Sequence, residues 1–441
     1  MGLNYFAVCY DCTTFAAIIH YRTSFEELLR QLPQKNSVTF MKKEIGYFVP
    51  ITLGMLTAFG PFITDFYLPS LPEMASFFNT SPSMVSMSLM SGMFGLALGQ
   101  ILIGPMSDKY GRKGLLIGSM ALFAVSSVLC ILAPNIYVFN LMRVLQGLGG
   151  AGGIVLSKSI STDMFTGKEL SDFMAILGAI NGITPVIAPI VGGTLTNFTS
   201  WQGVFCLLLA IGIILMICSC RLKETLESDK RAQGNVIHAY GKLFKVFHNR
   251  RYTLSTLAAM FSFFAFFSYI ASSPFIFQQI YGLTPFHFSL CFGLNALMVG
   301  VGSALATRFR HQNTALKWAS IDLLASAILV AICQYFHAPL AVLMPCYIYM
   351  LLSFGLMQPV STAIALDCER ENAGAASAMF GASNFFAGAI ASPIVAMGNI
   401  LITSSTVMLV GGLACLLLTL PLCETIKREA IEKLSHGKAD E

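Results

Sequence analysis

The amino-acid sequence predicts an all-α membrane protein of twelve transmembrane helices arranged as two pseudo-symmetric six-helix bundles. Three observations predict it. Hydrophobic residues make up 55% of the 441-residue chain and charged residues only 11%, against about 25% charged in an average soluble protein; lipid has to be the solvent for that much apolar surface. Uncharged runs recur at spanning length: residues 173–220 hold no Asp, Glu, Lys or Arg, and 252–307, 323–366 and 372–423 repeat the pattern, each with room for two helices of about 20 residues. Between the runs lie the basic residues, on segments that an even number of spans puts on one side, whereas the proposed outer loops contain no Lys or Arg. The positive-inside rule makes that side cytoplasmic, with both termini and the middle loop. Ten or eleven spans would put one basic segment on the wrong face.

Residues 1–40 are weakly patterned and lack the basic start, apolar run and cleavage site of a signal peptide. Met41-Lys42-Lys43-Glu44 has the look of a natural beginning, so 1–40 read either as a start assigned too far upstream or as a cytoplasmic extension. The N-terminal bundle is expected over 41–220, a cytoplasmic central loop over 221–251, the C-terminal bundle over 252–423 and a cytoplasmic tail over 424–441. The first span, about 45–68, contains Pro50 and Pro61 and should be irregular; Asp65 sits near its far end. The second, about 85–106, carries Gly92, Gly95, Gly99 and Gly104, a stripe suited to close helix contact. After it comes Gly104-Pro-Met-Ser-Asp-Lys-Tyr-Gly-Arg-Lys-Gly114, a charged elbow in which glycines 104, 111 and 114 permit a tight turn.

The third span ends at a break near Ala133-Pro134-Asn135. The fourth contains Arg143 and the tract from Gln146 to Gly153, and Lys158 opens a second charged segment. The fifth holds Gly178, Asn181, Gly182, Pro185, Pro189, Gly192 and Gly193, and a turn near Trp201 leads to the sixth. The segment from Arg221 to Arg251 divides the halves, and the second half repeats the plan, with Asp322 near the start of its ninth span.

Composition and motifs exclude several classes of function. The twelve cysteines and seven histidines are scattered and form no metal-ligand spacing. Gly147–Gly153 lacks the Gly-Lys-Ser/Thr of a phosphate loop. There is no nucleophile and base at working spacing, no call for a cofactor or metal and no nucleic-acid surface, so the chain is not read as an enzyme. Secondary transport of a small molecule by rocking halves fits instead.

The ionisable groups inside the membrane are then the candidates, because an intramembrane charge must be paired or functional. Asp65 is the candidate proton carrier, the other reading being a helix-end charge at the headgroups. Arg143, about 10 Å deep in the fourth span at 1.5 Å per residue, cannot give up its proton and is expected to hold the Asp65 carboxylate or an internal network. Asp322 is a third coupling candidate, close enough to the cytoplasm to be a hydrated end charge. Gln146, Asn181, Tyr269, Asn295, Gln358 and Asn384 are candidate substrate contacts, with Phe385 and Phe386 beside them. The elbow residues Gly104, Asp108, Gly111, Arg112 and Lys113 read as a gate, Asp108 pairing with an arginine; a purely topogenic role for the basic pair is the plainer alternative.

Four stretches together resemble one family. Gly104-x-x-x-Asp108-Lys109-x-Gly111-Arg112-Lys113 is similar to the loop signature between the second and third spans of the major facilitator superfamily, and Leu141-x-Arg143-x-x-Gln146-Gly147 to its fourth-span motif. Gly178 to Gly193 resembles the fifth-span motif of its drug:proton antiporters. Asp65-Phe-Tyr-Leu-Pro-Ser-Leu-Pro72, with Ala373–Ala378, narrows the resemblance to the Bcr/CflA-like multidrug resistance branch. It covers about 42–430. It implies a bacterial inner-membrane, monomeric exporter exchanging small amphipathic drugs for protons, with coupling roles for Asp65 and Arg143, gating for Asp108, and close backbone contact at Gly178, Gly182, Pro185, Pro189, Gly192 and Gly193. Lys109 and Lys113 depart from the commoner arginines, and 300–310 lacks an Asp-x-x-Gly-Arg core. A proton-coupled importer of a nutrient or metabolite is the competing function on the same fold, followed by a membrane sensor without transport.

Overall fold

The computed structural model describes residues 48–231, 236–309, 311–395 and 397–437; the reading of residues 1–40 lies outside them. The described chain is helical throughout. The first span is two pieces, α1 (Phe48–Thr57) and α2 (Phe59–Asp65). The break has a local cause: Pro61 has no N–H to give Thr57, and its ring crowds that carbonyl. The helices flanking this break, Phe48–Thr57 and Phe59–Phe77, are bent by 45°. A 3₁₀ turn, Leu68–Ser70, leads into α3 (Leu71–Phe77).

Then come α4 (Pro82–Tyr110), α5 (Arg112–Ile131), α6 (Ile136–Met164), α7 (Gly167–Leu195) and α8 (Trp201–Arg221). A short α9 (Val236–Lys245) precedes α10 (Arg250–Phe275), which ends in a π turn at Ile276–Ile280. The chain closes with α11 (Pro285–Ala306), α12 (Gln312–Tyr335), α13 (Leu340–Cys368), α14 (Ala373–Val395) and α15 (Ile400–Gly437). Side-chain caps mark several starts: Ser81 accepts from the Met84 N–H with Pro82 behind it, and Asn135 accepts from Val138 at 3.0 Å.

Ten described helices are long and apolar enough to cross a membrane, and the bent pair adds an eleventh. Helix α6 is outside that set although it has 29 residues; Asn140, Arg143, Gln146 and its glycines dilute its hydropathy. The glycines earn their place in the fold instead. A Cβ on Gly147 would run into the Gly92 carbonyl of α4, and one on Gly149 would stand 2.7 Å from the Phe123 nitrogen of α5. Helix α6 is thus threaded between α4 and α5 at backbone contact.

Three expectations need correction. Gly104 and Gly114 lie inside α4 and α5 with open space around them; the turn is made by Gly111 alone, at φ +96°. Lys158 is not in a loop but on α6, six residues before its end. In the fifth-span motif, a Cβ on Gly192 would run into the Phe66 carbonyl and one on Gly193 would stand 2.8 Å from the Pro285 carbonyl, but a Cβ on Gly178 or Gly182 would meet nothing within 4 Å. Helix α7 runs unbroken through Pro185 and Pro189.

Below, the end of the bundle that carries Gly111 is the elbow end and the opposite one the far end. At the far end the two parts of the chain are joined: Gln278 donates to the Pro69 carbonyl at 3.0 Å and Ser83 to the Pro393 carbonyl at 3.4 Å. Gly193 packs on α11 there. Toward the elbow end α7 and α11 stand apart, leaving Gly178, Gly182 and Gly300 open.

Candidate functional site

Asp65 is the last residue of α2 and is buried, with Thr64 Oγ1 donating to its carboxylate at 2.7 Å. The Tyr269 hydroxyl of α10, in the other half of the chain, lies within electrostatic reach of it. Tyr269 in turn accepts from Asn295 Nδ2 at 2.7 Å and stacks on Phe292. Tyr347 leans on the same ring and accepts from Gln334 at 2.7 Å. Two of the proposed contact residues, Tyr269 and Asn295, are therefore brought together, and Asn295 Oδ1 is buried with no partner among the described residues.

Arg143 is fully buried but does not hold Asp65. Among the described residues no ion pair joins them; this part of the sequence expectation is corrected. Helix α2 stops at Asp65, which leaves the Ile63 carbonyl without a helical partner, and Arg143 Nη2 donates to it at 2.6 Å. Its Nη1 donates to Gln146 Oε1 and its Nε to the Ser88 carbonyl at 3.4 Å. The guanidinium lies over the Tyr67 ring, 4.4 Å from its centroid. Gln146 passes its amide on to Ser127 at 2.7 Å, so it is spent inside this network rather than exposed to a cavity. Among the described residues Arg143 neutralises no carboxylate; it staples α2 and α4 to α6.

The remaining candidates are dispersed. Asn181 is exposed on α7, on the face that meets Phe66 farther along at Gly192. Gln358 of α13 donates to Ser262 at 2.8 Å. Asn384 is buried on α14 with its Oδ1 unpartnered among the described residues. Phe385 reaches Gly60 of α2, whereas Phe386 is 44% exposed on the outside. Asp322 accepts from Tyr349 at 2.8 Å on α12, a helix that packs on α13 and α15 and not near Asp65.

The elbow is an ion-pair latch. Arg112 donates to Asp108 at 2.5 Å, to Ser107 at 2.6 Å and to Asp163 of α6 at 3.1 Å. Gly111 has no side chain with which to cap α5, and Glu224, just beyond α8, does so from a distance: it accepts from the Arg112 N–H at 2.9 Å and the Lys113 N–H at 3.2 Å. Burial alone pushes the Glu224 carboxyl up, but the N–H groups of Arg112, Leu226, Lys113 and Thr225 more than offset this and hold it below the usual carboxylate range. Lys113 contributes its backbone N–H. Sequence reasoning missed Asp163 and Glu224; their signal was an acid at the end of a span on the same side as the basic elbow.

A helical bundle with, among the described residues, one buried carboxylate at a helix break, a second buried network around an arginine and no reactive pair of groups is the frame of a membrane transporter. The Major Facilitator Superfamily profile matches residues 53–392, and the chain belongs to that family of secondary-active small-molecule transporters. It is 36% identical to the MFS-type transporter YdgK of Bacillus subtilis over 79% of this chain and 88% of that one. It is 28% identical to a bicyclomycin resistance protein homolog of Haemophilus influenzae over 78% and 88%. Its relationship is thus to the Bcr/CflA-like multidrug-resistance transporters, and it is a multi-pass bacterial membrane protein. The fold also matches a D-xylose-proton symporter with a TM-score of 0.72 at 14% identity, over 85% of this chain and 97% of that one.

Proposed function

We propose that this transporter is a proton-coupled exporter of small amphipathic molecules, working by alternating access between two six-helix halves. The twelfth span in this reading is α6, and the halves are 41–220 and 252–423 joined by the loop 221–251. The elbow end faces the cytoplasm with both termini, since the basic residues collect there, and the membrane is the bacterial inner membrane. Asp65 carries the proton, and Tyr269 and Asn295 are the groups that meet it from the opposite half. Asn181, Gln358 and Asn384 are contacts for substrate, Asp322 stands aside as a secondary coupling candidate, and the latch of Asp108, Arg112 and Gly111 gates the cytoplasmic end.

One observation carries the reading: the buried Asp65 carboxylate has a single hydroxyl donor and no cation among the described residues. Burial without a counter-charge penalises the ionised form, so proton uptake and release there must accompany a change of surroundings, and the junction of the two halves supplies one. The test is drug-dependent proton release in inside-out vesicles, with intact protein against Asp65→Asn at equal expression. Loss of the signal in the variant is expected. A signal that persists in Asp65→Asn overturns the assignment of Asp65, and uptake in place of release by intact cells overturns the direction.

A further inference from the structure

We infer that Lys158 recognises the charged end of the substrate, and that the molecule carried is an amphipathic organic acid: an apolar or aromatic body bearing a carboxylate or a similar anion. The inference deepens the transport reading above and rests on it.

Lys158 belongs to the face of α6 that carries Ile154 one turn earlier. That face looks across the junction between the halves: a Cβ on Gly60 would lie 3.7 Å from Ile154 Cδ1 and 3.6 Å from Phe385 Cζ of α14. Side chains on a helix lean toward its N-terminus, so Lys158 reaches up this face toward Ile154 and Phe385, away from the elbow end. Its neighbours Ser157, Ile160 and Ser161 are buried, yet Lys158 itself is exposed. An exposed side chain between buried neighbours is open to water, and on α7 and α11, which flank the same junction, Gly182 and Gly300 also have open space around them.

The ammonium has no carboxylate partner among the described residues. Asp163, five residues on, is taken by Arg112 and by Thr225 at 2.9 Å, and Asp65 is engaged by Thr64. Arg143, the other cation within α6, has its donors filled by Ile63, Ser88 and Gln146. Lys158 therefore has three donors to offer and a charge to neutralise, beside an apolar wall of Ile154 and Phe385. An anion tethered to an apolar body satisfies both at once; a cation there is repelled.

The test uses the full chain in nanodiscs and a matched pair of probes, naphthylacetate and its uncharged twin naphthylacetamide. Wild type should bind the acid about tenfold or more tighter than the amide, as a charge-assisted contact gives. Lys158→Gln should abolish the preference while keeping affinity for the amide, and Lys158→Arg should retain it. As a reading that needs no variant, labelling of Lys158 by a small amine-reactive reagent, followed by mass spectrometry, should be slowed by the acid and not by the amide. A preference that survives Lys158→Gln, no preference in wild type, no binding of either probe, or labelling that the acid does not slow would each overturn the inference. Its failure is separable from that of the proton reading, because Asp65→Asn abolishes the proton signal without removing the discrimination at Lys158.

Discussion

Replacing Arg143 by lysine keeps the buried charge and removes the fork, so it asks what the arginine is for. In the structure one guanidinium bridges the Ile63 carbonyl of α2, the Ser88 carbonyl of α4 and the Gln146 side chain, while stacking over Tyr67. A lysine amine can keep one of these positions and leaves the others buried and unmet. Hydrogen bonds to charged groups contribute about 1.5–3 kcal/mol each, and the Ser88 contact at 3.4 Å is a weak one; the loss in Arg143→Lys comes to about 2–4 kcal/mol. The assay is thermal unfolding in detergent, followed with a thiol-reactive dye that reads the uncovering of the buried Cys130 and Cys415. Arg143→Lys and Arg143→Gln should both melt well below wild type, and both should weaken proton-coupled flux, because Ile63 lies two residues from Asp65. If Arg143→Lys matched wild type in both measurements while Arg143→Gln failed, charge alone would be the requirement and the staple would be refuted.

The remaining predictions concern the latch and a thiol pair. Because the folded Glu224 carboxyl is held below its ordinary range, its ionised form contributes stability that is full above the unfolded value and is lost as pH falls through the folded one; wild type should lose thermal stability on acidification, and Glu224→Gln should be less stable at neutral pH with a shallower acid loss. An equally steep loss in the variant would remove Glu224 as the cap. Cys333 of α12 and Cys346 of α13 face each other with sulfurs 3.6 Å apart, so a mild oxidant should cross-link them, detectable as the loss of both free thiols by mass spectrometry and reversed by dithiothreitol. Retention of two free thiols under conditions that oxidise exposed Cys206 would contradict the proximity of these helix ends.

Much of this frame was legible because a membrane chain writes its elements in one-dimensional patterns. Uncharged runs mark spans, and the glycines 92, 95 and 99 announced a helix approached at backbone distance, which α6 supplies. Pro61 marked the break in the first span. Partners were the part that spacing could not carry. Asp65 and Arg143 were both recognisable as costly charges, but whether they meet depends on where α2 ends: with the helix stopping at Asp65, the nearest unsatisfied group to Arg143 is the Ile63 carbonyl and not the carboxylate. Lys158 opens the second charged segment of the sequence, yet α6 continues past it to Met164. Gly178 and Gly182 matched a motif whose tight glycine approaches fall instead at Gly192 and Gly193.

That distribution of contacts links closure at one end to the proposed proton site. The far-end junction is made where α2 gives way to the Leu68–Ser70 turn, and Pro69 there accepts the bond from Gln278. Asp65 stands just before this turn, and Gly192 of α7 presses on the Phe66 carbonyl immediately after it. In the proposed cycle, parting the halves at the far end takes Pro69 away from Gln278 and Gly193 of α7 away from Pro285 and Ser289 of α11, so that Asp65 draws away from the half that carries Tyr269 and water reaches the carboxylate. Ionisation then becomes cheaper by the solvation that burial had withheld. The staple from Arg143 fixes Ile63 to α4 and α6 through this motion, so the displacement falls on the few residues from Asp65 to Ser70 and not on the whole first span. On the proposed proton role of Asp65, a bent helix with its free carbonyl held by a buried arginine thus confines the change of state to the segment that carries this carboxylate.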